Sequence, residues 1–123
     1  MRMATMYGKT APGNPEAYRR EVTWIYGQSA PSVSKGDMHY NFIDHGVTAE
    51  AAARIDTEKT SVYLLTGEYD WGNSPAEGRA LAEQIKGAKF FEMKGLGHFP
   101  MLENYEVFRN YLLPVLDEIA AKG

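Results

Sequence analysis

Hydrophobic and polar positions change their rhythm partway along this chain, near Thr57. Upstream, Asn14-Pro15-Glu16 reads as a helix start, with a proline at the first helical position and an early acid. Tyr18, Val22, Ile25 and Tyr26 then fall on one face, predicting an amphipathic helix that ends near Gly27. From Gln28 to Gly46 the chain is rich in Ser, Pro, Gly and Asp and predicts irregular structure, with room for one short strand over Met38 to Ile43. Thr48 is placed to cap a short alanine-rich helix reaching about Arg54.

Downstream, strand and helix signals alternate. Val62 to Thr66 is a short continuous apolar run with β-branched and aromatic members, the pattern of a strand in a parallel sheet covered on both faces. Ser74-Pro75-Ala76-Glu77 is a capping box with proline just inside, so a helix is expected from there to Lys86, stopping at Gly87. Lys89 to Met93 is the next strand. A final helix from Tyr105 to Ala121 aligns Val107, Phe108, Tyr111, Leu112, Val115, Leu116 and Ile119 as a core stripe, with a kink expected at Pro114. Phe90, Phe91, Phe99 and Phe108 are expected in the core or as pocket wall. The fold class is therefore α/β: a small parallel sheet with flanking helices and a mostly helical N-terminal extension, divided as 1–57 and 58–123.

Composition narrows the function classes. The chain has 123 residues, 44% hydrophobic and 24% charged, the make-up of a folded globular domain. A formal net charge of −3 supplies no basic footprint for nucleic acid or an anionic membrane. Zero cysteines exclude a disulfide scaffold and a thiol nucleophile. Met1 to Met6 contains no apolar stretch of signal-peptide or membrane-span length, and a cytoplasmic location is the default expectation.

Two motifs carry chemistry. The run Ser61-Val62-Tyr63-Leu64-Leu65-Thr66-Gly67-Glu68-Tyr69-Asp70 ends a strand on an acid, and Lys94-Gly95-Leu96-Gly97-His98-Phe99-Pro100 ends the next on a histidine framed by glycine. A right-handed βαβ unit brings both strand C-termini to one sheet edge, where ligands sit in open α/β sheets. An acid and a histidine meeting there form a proton relay: the carboxylate fixes one imidazole tautomer and stabilises the imidazolium.

From about Met38 onward the chain resembles the C-terminal portion of α/β-hydrolase-fold enzymes. Leu64 to Asp70 looks like their penultimate strand with the triad acid; Gly95-Leu96-Gly97-His98-Phe99-Pro100, followed by Glu103, looks like their histidine loop and the entry to the last helix. The first fifty or so residues are more loosely similar to the end of the helical cap. The resemblance implies a partial α/β-hydrolase fold, with Asp70 as triad acid and His98 as general base of a serine hydrolase acting on ester or related carbonyl substrates, and it implies no cofactor. The family's Gly-x-Ser-x-Gly elbow and oxyanion loop are not recognisable here. The expectation is thus a truncated hydrolase design, inactive alone or completed by another polypeptide; the alternative is a non-catalytic module that self-associates through an exposed sheet edge.

Other residues weigh less. Ser29, in Tyr26-Gly27-Gln28-Ser29-Ala30-Pro31, has the family's Ser, Asp, His order, but Pro31 replaces the second glycine and the preceding residues read as helix. Glu68 reads as a strand-end residue rather than a second acid. His39, Asp44 and His45 match no zinc spacing, and Gly8-Lys9-Thr10 lacks the earlier glycine of a phosphate-binding loop, since that position is Met3.

Overall fold

A computed structural model describes residues 2–28, 31–40, 43 and 46–122. In chain order the elements are α1 (Arg2–Gly8), α2 (Glu16–Gly27), α3 (Pro31–His39), α4 (Ala49–Ala53), β1 (Tyr63–Gly67), α5 (Pro75–Gln84), β2 (Lys89–Met93), α6 (Pro100–Glu103) and α7 (Tyr105–Ala121). β1 and β2 form a two-stranded parallel sheet in the register Tyr63 to Lys89 through Gly67 to Met93. The α/β class with a small parallel sheet and flanking helices is thus observed.

Local signals explain most boundaries. Ser74 and Glu77 close both halves of the capping box that starts α5, and Thr48 accepts a hydrogen bond from Ala51 N to start α4. Asn104 caps α7 by accepting from Val107 N. Pro114 lies within α7, where it leaves the Asn110 carbonyl without a helical donor. Among the described residues, no helix is long and apolar enough to cross a membrane.

The helices lie on opposite faces of the sheet. Gly78 of α5 sits so close to Thr66 and Phe90 that a Cβ there would come within 2.7 Å and 2.8 Å of them. On the other face, Lys122, the C-cap of α7, donates to the Tyr63 hydroxyl, and Glu118 of α7 pairs with Lys89. Lys89, Tyr63 and Lys122 hold the half-buried Glu118 carboxyl down at about 2, with Lys89 the largest influence.

Three expectations are corrected. The segment after Gln28 is not irregular throughout: Pro31–His39 is helical, which removes Met38 and His39 from any strand. Its serines, Gly36 and Asp37 are weak helix formers, and the described residues supply no buried stripe to account for it. The α7 stripe is only partly covered, with Val115 buried but Leu116 and Ile119 at 48% and 43% exposure. A helix of 17 residues overhangs a sheet two strands wide. Phe91, expected inside, is exposed on the same account, whereas Phe99 is buried.

Most of the buried apolar side chains gather around the loop after β2: Met93, Leu96 and Phe99 from the loop and its strand, Ala11 and Val22 from the N-terminal part. Tyr26 of α2 packs on the Phe99 ring at 4.6 Å between centroids. Of the N-terminal helices, α2 therefore stands against Phe99 and α6, and α1 packs on α2.

Candidate functional site

β1 and β2 keep pairing beyond their strand ends. Glu68 N donates to Met93 O at 3.0 Å and Tyr69 N to Leu96 O at 2.9 Å. The backbones approach so closely here that a Cβ on Gly67 would lie 2.2 Å from Gly97 O, which only glycine at 67 permits. This zipping carries Asp70 and His98 to the same C-terminal edge, and His98 Nδ1 lies 2.8 Å from Asp70 Oδ2.

The acid is held from both sides. Its Oδ1 accepts from Gly72 N and Asn73 N, each at 2.9 Å, so the loop folds back over its own carboxylate. Burial is the largest single influence on Asp70 and pushes its pKa up. The hydrogen bond from His98, the Asn73 N–H, the charge on His98 and the Gly72 N–H together outweigh it, and the carboxyl titrates below its ordinary range. A carboxylate only accepts hydrogen bonds, so the neutral imidazole must donate Nδ1–H to it and keep the lone pair on Nε2. The two side chains differ in exposure: Asp70 is 8% exposed and His98 25%, so the carboxylate is shielded while the imidazole is partly open to solvent.

The remainder of the site is wall and frame. The Phe99 ring meets the imidazole edge-on, 4.8 Å between centroids. Trp71, next to the acid, donates its indole N–H to Gly8 O at 3.1 Å, and the Lys9 ammonium lies 5.2 Å from the center of its ring. Gly8-Lys9-Thr10 thus ends α1 and runs alongside the Asp70–His98 pair; the Lys9 carbonyl accepts from His98 N at 3.0 Å. Glu68 accepts from Gly95 N and from Lys94, which lower its pKa in that order and tie it into the turn before the histidine.

Glu103 is the site residue that sequence reasoning underrated. It is fully buried and accepts four hydrogen bonds, from Ala11 N (2.8 Å), Asn14 Nδ2 (2.9 Å), Gly97 N (3.0 Å) and Phe99 N (2.9 Å). A local signal existed: Phe99 is a poor N-cap with Pro100 behind it, and an acid in the same turn can reach back to the orphan N–H groups. The bonds to Ala11 and Asn14 had no such signal.

The structure therefore brings together Asp70 and His98 and adds Glu103 and the Lys9 to Asn14 turn. Ser29, the weak nucleophile candidate, lies outside the described residues, as do Asp44 and His45. His39 is on α3, and among the described residues no group of three potential ligands could hold a metal ion. Comparison of the chain with protein-family models, with curated proteins and with solved structures finds no match in any of the three.

Proposed function

We propose that this chain carries the acid and base of a hydrolase of the α/β-hydrolase type, acting on ester or related carbonyl substrates with a nucleophile supplied from outside these 123 residues. His98 Nε2 takes the proton of the attacking hydroxyl, Asp70 stabilises the resulting imidazolium, and the same proton then passes to the leaving group. The supporting observation is the 2.8 Å contact between His98 Nδ1 and a buried Asp70 held by two backbone N–H groups, at adjacent ends of parallel strands.

Alone, the pair has water as its nucleophile. General-base assistance contributes on the order of 10²–10⁴-fold, so slow hydrolysis of an activated ester such as p-nitrophenyl acetate is expected, abolished in His98→Ala. An undiminished rate in His98→Ala refutes the reading. Incubation with a fluorophosphonate should leave the intact mass unchanged; a stoichiometric adduct on Ser29 would make the chain a self-sufficient serine hydrolase instead.

A second reading, self-association with another copy of the chain, is favoured by a separate observation. The sheet has two strands, and Phe91, Leu113, Leu116 and Ile119 beside it are all more than a third exposed. Sedimentation velocity over a wide concentration range should show a dimer or larger species; a monomer throughout excludes it.

A further inference from the structure

We propose that Glu103 is the positioning residue of the Asp70–His98 pair: a buried carboxylate clamp that locks the histidine loop onto the Lys9 to Asn14 turn and so sets the imidazole within reach of its acid. The proposal rests on the reading of that pair as an acid–base relay. Three successive peptide N–H groups at the histidine are all tied down: Gly97 N and Phe99 N to Glu103, and His98 N to Lys9 O. The first two bracket His98, so the carboxylate grips the peptide on either side of the base while touching neither the imidazole nor Asp70.

The same Oε2 that accepts from Gly97 also accepts from Ala11 and Asn14. The clamp thus spans sequence separations of 92 and 89 residues and makes the N-terminal turn part of the site. Burying a carboxylate is strongly unfavourable unless hydrogen bonds replace its hydration, and here three N–H donors converge on Oε2 and a fourth reaches Oε1. A side chain of any other chemistry fails here. An apolar residue strands four donors. Glutamine in its better orientation keeps three donors and points its own NH2 at the Phe99 N–H, releasing one side of the histidine. Aspartate is one methylene too short to reach both loops.

The test reads the His98 Nδ1–H proton by NMR on the intact chain labelled with 15N-histidine. In the wild type a downfield proton is expected, absent from Asp70→Asn. In Glu103→Gln the amide spectrum of the sheet and of α5 should persist, while this proton exchanges with water about tenfold faster, the holding power of roughly one hydrogen bond. Thr48→Ala weakens the distant α4 cap and should leave the exchange unchanged, which separates positioning from general loss of stability. If Glu103→Gln does not fold, Asn14→Ala decides in its place, since it removes one arm and leaves the other three donors. Faster exchange supports the clamp, and wild-type exchange overturns it. A wild type without the downfield proton overturns the relay reading and the clamp together; a wild type that has it, with unchanged exchange in the clamp variants, overturns the clamp alone.

Discussion

Gly97→Ala tests the packing that brings the histidine to the acid. A Cβ at this position would lie 2.4 Å from Lys9 O, 2.8 Å from Ala11 N and 2.8 Å from Glu103 Oε1, two of them backbone atoms that cannot rotate away. The shortest contact is about 0.6 Å inside the 3.0 Å limit that real Cβ atoms respect, so the histidine loop must retreat from the Lys9 to Ala11 segment by at least that much. The bond from His98 N to Lys9 O, now 3.0 Å, then stretches out of range, and the bonds that Glu103 makes across the same gap weaken with it. Two buried hydrogen bonds lost or impaired destabilise by about 2–3 kcal/mol. The lower entropy of the unfolded alanine chain returns about 0.4–1 kcal/mol, leaving a net loss of about 2 kcal/mol.

Urea unfolding followed by the fluorescence of Trp24 and Trp71 should register this as a midpoint lowered by about 1 M. The His98 Nδ1–H signal should vanish with it. Gly95→Ala is the contrast, two residues away and limited by different physics. Gly95 has φ +74° and open space around it, so alanine there carries roughly 1–2 kcal/mol of left-handed strain but no collision. Its Nδ1–H signal should survive. A Gly97→Ala protein with a wild-type midpoint and an intact signal would refute the close approach of the two loops.

Two further outcomes follow from the same geometry. Because the folded Asp70 carboxyl sits below its ordinary value of 3.8, the unfolded chain binds its proton first on acidification; its contribution is complete above that pH and is lost as pH falls through the folded value. Urea titrations should therefore show a stability gap between wild type and Asp70→Asn near neutrality that narrows as pH falls below 3.8, and a gap that stays constant into strong acid would contradict it. Ser74→Ala opens the capping box of α5 and should destabilise by about 1 kcal/mol, visible as faster amide exchange over the first turn of that helix; unchanged protection there would contradict the cap.

The meeting of Asp70 and His98 was legible because each stands at the end of a signal contained in its own segment. An apolar run of a few residues marks the strand, the glycines mark the turn, and the side chain that follows inherits the sheet edge. The Ser74 to Glu77 box and the Thr48 cap are equally local, and the structure forms all three of their hydrogen-bond features. α1, α3 and α6 were not anticipated. α1 opens without a capping signal and is tied to its neighbor by the Tyr7 hydroxyl on Glu16 and by Arg19 stacked over the Tyr7 ring, contacts set by how two helices meet. α6 is four residues long, and the N–H of its N-cap residue Phe99 depends on Glu103.

What the amino-acid order determined by itself is the two strands, the capped helices and the two chemical groups at the strand ends, since caps, turns and strand runs act over three to five residues. The tertiary structure alone decided which faces are covered and which polar groups are enclosed. Leu116 and Ile119 follow the helical period as faithfully as Val115, yet they stay about half exposed because the described residues cover them only in part. Glu103 reads as one more acid near a helix start, yet it is the most fully buried charge described, because donors from positions 11 and 14 close over it. Periodicity specifies which side of an element is apolar; only packing specifies what arrives on that side.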